Sequence, residues 1–118
     1  MNIKIFSEKT GLTTHTLRYY EKIGLLKNIK RNSIGYRDYT EKDIAWIEFL
    51  ERLKATGMPF KNMLLFAELR YKGDSTLKGR LNILENHKLE IENNIDRLYD
   101  NLKKINEKID IYKNYKNN

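Results

Sequence analysis

The chain has 118 residues, a formal net charge of +7 and no cysteine. This length accommodates one small domain, or a small domain with one long helical extension. The lack of cysteine excludes disulfides and thiolate metal sites. Residues 1–12 do not resemble a secretory signal, and no apolar run approaches the ~18 residues of a membrane span. A cytoplasmic protein is therefore expected.

The excess positive charge lies in the first third of the chain. Residues 1–37 hold eight basic and two acidic side chains, whereas residues 38–118 hold fifteen and fourteen. A polyanion would be attracted to the N-terminal segment because its binding releases counterions. A merely solvated basic surface is the alternative, and composition alone does not decide between the two.

Two short helices joined by a tight turn are predicted at the start of the chain. Ile3, Phe6 and Thr10 have helical spacing ahead of Gly11, which suits a left-handed helix cap. Thr13 is a candidate N-cap for a second helix that runs to about residue 23 and stops at Gly24. The short connection is typical of a helix-turn-helix.

The second helix has two unlike faces. Leu17 and Tyr20 share one face and are expected to pack inward. The opposite face is basic, aromatic and hydroxyl-bearing, and it consists of Thr14, His15, Arg18, Tyr19 and Lys22. A helix that enters the major groove of DNA needs side chains of these kinds. For His15, DNA contact and simple solvation both remain open.

A short β-hairpin, or wing, is predicted between residues 25 and 39. The helical period is lost there, the segment is polar, and Gly35 provides a turn. Its candidates for phosphate contacts are Lys30, Arg31, Tyr36 and Arg37. Tyr39 is expected to pack beneath the hairpin.

Two further helices are predicted between residues 40 and 73. Thr40 and Asp43 have the spacing of a capping box, which predicts the start of the third helix. Trp46 and Phe49 widen the apolar stripe of that helix and are expected in the core. Pro59 suits the first turn of a fourth helix that ends at Gly73.

The remainder of the chain is a heptad repeat. From Asp74 or Ser75 as N-cap, apolar residues recur at alternating steps of four and three, interrupted only by Lys88. The spacing predicts a coiled-coil seam about 54 Å long from Leu77 to Tyr112. One helix cannot bury such a seam, which predicts a homodimer; an intramolecular hairpin with helices three and four is the alternative, but those helices are too short. The predicted dimerisation residues are Leu77, Leu81, Leu84, Ile91, Ile95, Leu98, Leu102, Ile105 and Ile109.

The predicted fold is therefore mainly α and has three parts. Residues 1–72 form a winged helix-turn-helix head, residues 73–113 form the coiled-coil helix, and residues 114–118 form a tail that is expected to fray. Lys88 is expected to set the register of the seam at some cost in stability.

At this level the sequence resembles the MerR family of bacterial transcription regulators. The resemblance rests on residues 16–21 (TLRYYE), 24–26 (GLL), 35–39 (GYRDY) and 53–58 (LKATGM), in this order and spacing. It covers residues 1–71 well. From residue 74 onward the chain fits the family's dimerisation helix in length and heptad pattern only.

The resemblance implies an antiparallel coiled-coil dimer that binds a pseudo-palindromic operator in double-stranded promoter DNA. Such regulators bend and untwist the DNA so that RNA polymerase can use the promoter. The resemblance assigns DNA contacts to Arg18 and Tyr19 in the second helix and to Tyr36 and Arg37 in the wing. Face and charge add the other candidates, which are Thr14, His15, Lys22, Lys30 and Arg31.

The chain also departs from its relatives. It looks like the short, aldehyde-responsive, AdhR-like subgroup, but Arg52 stands where that subgroup has its single thiol, so that sensing chemistry does not carry over. Pro59 stands where relatives usually have a capping Ser or Thr. The effector is open: a small ligand, a partner protein or none. Family geometry places a ligand pocket between the head and the partner's coiled coil. Its candidate lining is the start of the long helix with Arg70, Tyr71, Lys72 and Asp74.

Two other functional classes are less compatible with the sequence. A coiled-coil interaction module without DNA binding is the alternative, although the concentrated positive charge counts against it. An enzyme is not expected, because the sequence has no nucleophile–base spacing and no glycine-rich phosphate loop. Neither cofactor nor metal is expected; His87, for example, has no clustered histidine or cysteine. Activation and repression both remain open.

Overall fold

The computed structural model describes residues 1–117, with side chains through Tyr115. Its elements are the helices α1 (Ile3–Thr10) and α2 (Thr14–Ile23), the strands β1 (Lys30–Arg31) and β2 (Arg37–Asp38), the helices α3 (Glu41–Ala55) and α4 (Phe60–Lys72), a 3₁₀ turn (Asp74–Thr76) and α5 (Leu77–Asn117). The predicted mainly α fold, with a winged helix-turn-helix and a long C-terminal helix, is confirmed. The chain divides into two compact units, the first comprising residues 1–83 and the second beginning at Leu84. No helix among the described residues has the length and hydropathy needed to cross a membrane.

The ends of α2 are fixed by the two residues that the sequence suggested. The Thr13 hydroxyl accepts a hydrogen bond from the Thr16 amide at 3.0 Å and so caps the first turn. Gly24 ends the helix with a φ of +90°, in the left-handed region. A Cβ at this position would also lie 3.1 Å from Cε of Lys27, so glycine suits both the conformation and the space.

The core of the first unit lies between α1, α2 and α3, and α4 packs against α3. Its largest fully buried side chains are Phe6, Leu17, Leu25, Leu26, Ile47 and Leu50. Tyr39 is only 2% exposed, and its ring stacks on Phe6 with the centroids 4.3 Å apart. The predictions of an inward Leu17, Tyr20 and Tyr39 are confirmed. Trp46 is buried as predicted, whereas Phe49 is only half-buried.

The capping box at the start of α3 is present. The Asp43 amide donates to the Thr40 hydroxyl at 3.3 Å, and the Thr40 amide donates to the Asp43 carboxylate at 2.9 Å. Two amide donors that would otherwise lack partners are therefore satisfied.

Thr40→Ala is expected to lower the free energy of unfolding by about 1 kcal/mol, because it removes the cap acceptor. Urea unfolding at one fixed protein concentration measures the loss. Ser75→Ala, which removes an exposed hydroxyl from the 3₁₀ turn, is the control and should change stability by less than about 0.5 kcal/mol. Equal losses in the two variants would show that the cap contributes nothing of its own.

The junction between α4 and α5 differs from the prediction. Asp74 and Ser75 do not cap α5; they lie inside the 3₁₀ turn, and α5 begins at Leu77. The Thr76 hydroxyl lies 2.6 Å from the Leu69 carbonyl and 2.7 Å from the Gly73 carbonyl. Its single proton is thus shared between the Leu69 carbonyl, which has no partner within α4, and the carbonyl of Gly73, which follows the helix.

Pro59 occupies the N-cap of α4, one residue before the helix, and provides no side-chain cap. The predicted first-turn position is therefore off by one residue. At the position where relatives usually have a capping Ser or Thr, α4 therefore begins without a side-chain cap.

The apolar stripe of α5 lies on the surface of the single chain. Leu98 is 67% exposed. Six other proposed dimerisation residues are exposed as well: Leu77, Leu81, Ile95, Leu102, Ile105 and Ile109. Tyr112 at the end of the stripe is also exposed, whereas Leu84 and Ile91 are half-buried. Lys88 lies 3.9 Å from the Glu92 carboxylate, one turn away. The helix continues through Asn117, and Asn118 lies outside the described residues, so fraying of the tail stays a prediction.

Candidate nucleic-acid interface

The exposed face of α2 and the wing form one concave surface. It encloses a cavity of about 540 Å³, and its lining consists of Asn2, Ile3, Arg18, Glu21, Lys22, Arg31, Tyr36, Arg37 and Tyr39. Four of these side chains are cationic and one is a carboxylate. The surface therefore favours a polyanion.

The two faces of α2 separate as the sequence predicted. His15, Arg18, Tyr19 and Lys22 are exposed, and Thr14 is half-buried. Arg18 and Lys22 lie one turn apart, so both point toward the same side. The opposite face is anchored in the core.

Tyr20 braces α2 against α3. Its hydroxyl donates to the Glu51 carboxylate at 2.8 Å. Burial, and next the hydrogen bond to Glu51, raise the pKa of the Tyr20 phenol above its ordinary value. The phenol therefore keeps its proton at neutral pH and remains the donor.

The wing is a two-stranded antiparallel hairpin, in which Lys30 pairs with Asp38 and Arg31 with Arg37. The Asn32 side-chain oxygen accepts from the amides of Ile34 and Tyr36, both at 3.0 Å, which closes the turn. The Tyr36 side chain at this turn is exposed. The hairpin thus has an exposed phenol at its tip, although the hairpin has no hydrophobic core of its own.

Each arginine of the wing is held by a different partner. Arg31 donates from Nη1 to the Gly35 carbonyl at 2.8 Å, within the hairpin. Arg37 donates from Nε at 2.8 Å to the Glu21 carboxylate, whose Oε2 also lies 2.7 Å from Nη2. The hydrogen bond to Glu21 raises the pKa of Arg37. Glu21 therefore ties the wing to the end of α2.

The structure brings together only part of the predicted set. Arg18, Lys22, Arg31, Tyr36 and Arg37 line the concave surface. Thr14, His15, Tyr19 and Lys30 lie on the same two elements but outside the lining.

The sequence did not single out Glu21 as part of the interface. It stands three residues after Arg18 in the TLRYYE segment, and this adjacency was the available signal. Its pairing with Arg37 depends on how the hairpin folds back.

Three of the four candidates for lining an effector pocket make separate contacts within the single chain, and the pocket itself, which includes the partner's coiled coil, stays a prediction. Arg70 lies over the Trp46 ring, and the Tyr71 hydroxyl accepts from the Lys27 amide at 2.9 Å. Lys72 lies 3.4 Å from the Glu68 carboxylate on the same helix. Of the four candidates, only Arg70 lines one of the described cavities.

Glu21→Gln is expected to loosen the wing while leaving the core intact. An exposed ion pair contributes about 0.2–1 kcal/mol, so the wing amides of Asn32 and Tyr36 should exchange roughly two- to fivefold faster with deuterium. Amide exchange followed by NMR measures this. Glu48→Gln, an exposed carboxylate on α3, is the control. Unchanged exchange in Glu21→Gln would mean that other contacts hold the wing.

Comparison with known proteins identifies the family to which the chain is similar. Residues 1–63 match the model of the MerR HTH family regulatory proteins. The chain is 38% identical over 110 residues to an HTH-type transcriptional regulator of Haemophilus influenzae, an alignment that covers 93% of this chain and 82% of that one. It is 43% identical over 84 residues to the HTH-type transcriptional regulator AdhR of Bacillus subtilis, covering 71% of this chain and 60% of AdhR.

Solved structures show the same relationship. A MerR family regulator from Listeria monocytogenes has a TM-score of 0.85 and 36% identity, covering 95% of this chain and 85% of that one. HiNmlR, a MerR family regulator that lacks the sensor domain and is bound to promoter DNA, has a TM-score of 0.82 and 36% identity, covering 98% and 91%. The resemblance seen in the sequence is confirmed, and the chain belongs to the MerR family of helix-turn-helix transcriptional regulators.

Proposed function

We propose that the protein binds a pseudo-palindromic operator in promoter DNA as a homodimer and thereby regulates transcription. The observation that carries the proposal is the single concave, cationic surface formed by α2 and the wing. The solved structure of HiNmlR, whose superposition covers 98% of this chain, contains that protein bound to promoter DNA. That similarity supports a DNA ligand rather than another polyanion.

In this proposal α2 lies in the major groove and the wing contacts the backbone. Arg18 and Tyr19 supply the central contacts of the helix, with Thr14, His15 and Lys22 on either side. Tyr36 provides the contact at the tip of the wing, and Lys30 and Arg31 add positive charge beside it.

Arg37 has a double role. A guanidinium has five N–H donors. Glu21 occupies the Nε donor and lies against Nη2, which leaves the Nη1 donors for a phosphate oxygen. Glu21 therefore orients the arginine before DNA arrives, and less side-chain entropy is lost on binding.

The exposed apolar stripe of α5 supports the proposed homodimer. A monomer would leave at least eight large apolar side chains of one helix face in water. Pairing with a second α5 buries them, and apolar burial is worth about 25 cal/mol per Å². An antiparallel arrangement, as in the family, provides two copies of the DNA-binding surface for two half-sites.

We infer that the dimer acts on RNA polymerase through the shape of the DNA. Helix and wing contacts on two half-sites can hold a bent and untwisted duplex, whose deformation energy is repaid by the added contacts. A bacterial regulator of this kind works in the cytoplasm, where promoter DNA is located.

Salt dependence tests the proposal. Binding to a labelled fragment from upstream of the protein's own gene should weaken steeply as salt rises, because each neutralised phosphate adds about 0.9 to the slope of log affinity against log salt. With several phosphates per head, we expect a slope of roughly −5 or steeper. An unrelated fragment is the control and should bind more weakly at every salt concentration. A coiled-coil interaction module without DNA binding would show no such dependence.

A further inference from the structure

A second cleft lies between α3, α4 and the start of α5, within residues 1–83. Its volume is about 400 Å³, and it shares no lining residue with the nucleic-acid interface. Three aromatic rings, Trp46, Phe49 and Phe66, form one part of its wall. Three cations form the other part: Lys42, Arg70 and Arg80. None of the proposed DNA contacts involves a residue of this cleft.

The positive charge of the cleft is not neutralised from within the described residues. No carboxylate lines the cleft, and none of its three cations forms an ion pair there. Arg80 is held instead by neutral oxygens, since its Nε donates to the Thr76 hydroxyl at 3.0 Å and its Nη2 to the Gly73 carbonyl at 3.3 Å. Three unneutralised cations around one cleft raise the local concentration of anions.

The aromatic part of the wall favours a flat apolar body. The Phe49 and Phe66 rings lie 5.7 Å apart, and the Trp46 and Phe66 rings lie 6.0 Å apart. Trp46 and Phe66 are buried, while Phe49 and Arg70 are half-buried and so remain accessible from the cleft. Aromatic groups at these separations make favourable edge and offset contacts with a further ring.

The cleft is connected to the DNA-binding elements by hydrogen bonds. Trp46 donates from its indole nitrogen to the Leu25 carbonyl at 2.7 Å, and the Tyr71 hydroxyl accepts from the Lys27 amide at 2.9 Å. Residues 25 and 27 belong to the connection between α2 and the wing. Arg70 lies over both rings, 4.1 Å from the Trp46 centroid and 5.1 Å from the Tyr71 centroid. An anion that draws Arg70 away from these rings acts on the residues that hold this connection.

We propose that the aromatic–cationic cleft binds a small aromatic carboxylate, whose anionic group pairs with Arg70 and Arg80 and whose ring contacts Phe49 and Phe66. Ligand binding moves Arg70. Through Trp46 and Tyr71, it thereby changes the orientation of the wing relative to α2. This regulatory part rests on the proposed function. The ligand changes operator affinity because it binds the DNA-bound and free states unequally.

The single tryptophan of the chain provides the test. The full-length protein gives one indole N–H resonance, from Trp46, in a ¹H–¹⁵N spectrum. Biphenyl-4-carboxylate is the probe, and the uncharged biphenyl-4-methanol is its matched control. We expect a saturable shift of the indole resonance with the acid and roughly tenfold weaker binding of the alcohol, because the alcohol cannot form charge-assisted hydrogen bonds. Equal binding of the two would overturn the proposal.

Variants locate the site. Arg70→Gln should weaken the acid roughly tenfold, since it removes a charge-assisted contact. Lys42→Gln, at an exposed position that is not needed for packing, should weaken it roughly two- to threefold through the loss of nearby charge. Arg52→Gln removes an exposed charge from α3 outside the cleft and should have no effect. Unchanged affinity for the acid in both cleft variants would overturn the assignment. An indole shift that appears only in a monomeric variant would overturn it as well, because a second copy of the chain would then fill the cleft in the dimer.

Operator affinity is measured separately, with and without a saturating concentration of the acid. The proposal expects a change of at least a few-fold in affinity. If the acid shifts the indole resonance saturably but operator affinity is unchanged, the regulatory part of the proposal is wrong. If the acid shifts the indole resonance and the protein binds no promoter DNA at all, the cleft is a ligand site but the proposed function is wrong. If DNA binding is intact and the indole does not respond, the cleft proposal fails alone.

Discussion

Arg18→Ala is expected to abolish detectable operator binding at physiological salt while the protein stays folded and dimeric. Arg18 is exposed on α2, lines the concave surface, and forms no ion pair among the described residues, so its guanidinium is available to DNA. Loss of one such contact costs about 1–3 kcal/mol, and a homodimer loses it on both half-sites. The combined loss is roughly 30-fold or more in affinity. Fluorescence anisotropy with labelled DNA measures it.

Arg52→Ala is the matched control for Arg18→Ala. It removes the same charge from an exposed helical position outside the interface lining. A comparable loss of affinity in both variants would mean that only the total charge matters. Unchanged affinity in Arg18→Ala would contradict the assignment of α2 as the recognition helix.

Leu98→Lys is expected to convert the dimer into a monomer at micromolar concentration. Leu98 is 67% exposed in the single chain and lies near the middle of the apolar stripe. In a coiled-coil dimer its position is buried, and an unpaired charge there costs about 3–5 kcal/mol. Sedimentation velocity at several concentrations measures the change. Operator binding should weaken with it, because two linked heads bind far more tightly than one.

Asn93→Lys is the control for the seam. Asn93 lies five residues before Leu98, on the outer face of the same heptad pattern, and is exposed. This variant adds the same charge without placing it in the seam and should remain dimeric. An intact dimer in Leu98→Lys would contradict the coiled-coil account, and a monomer in both variants would show that added charge alone causes dissociation.

The parts of the fold that depend on local chemistry could be predicted from the sequence. Thr13 and Gly24 fix the ends of α2 through contacts within a few residues, and the capping box of Thr40 and Asp43 is equally local. The long helix was visible because its apolar period is sustained over many turns. Such features require no knowledge of tertiary structure.

Features that join distant residues could not be predicted. Glu21 and Arg37 meet across sixteen positions only because the hairpin folds back onto α2. Thr76, rather than Asp74 or Ser75, organises the junction before α5, since its hydroxyl reaches the carbonyls that end α4. The cleft beside Trp46 likewise needs Arg80, from the start of α5, next to residues of α3 and α4.

Footprinting on the DNA that flanks the protein's own gene is the sharpest test of whether α2 and the wing together bind promoter DNA. We predict one protected region made of two inverted half-sites, with altered cleavage between them where the duplex is deformed. Protection should disappear with Arg18→Ala and persist with Arg52→Ala. The absence of any protected region at low salt, where phosphate contacts are strongest, would mean that α2 and the wing do not bind this DNA.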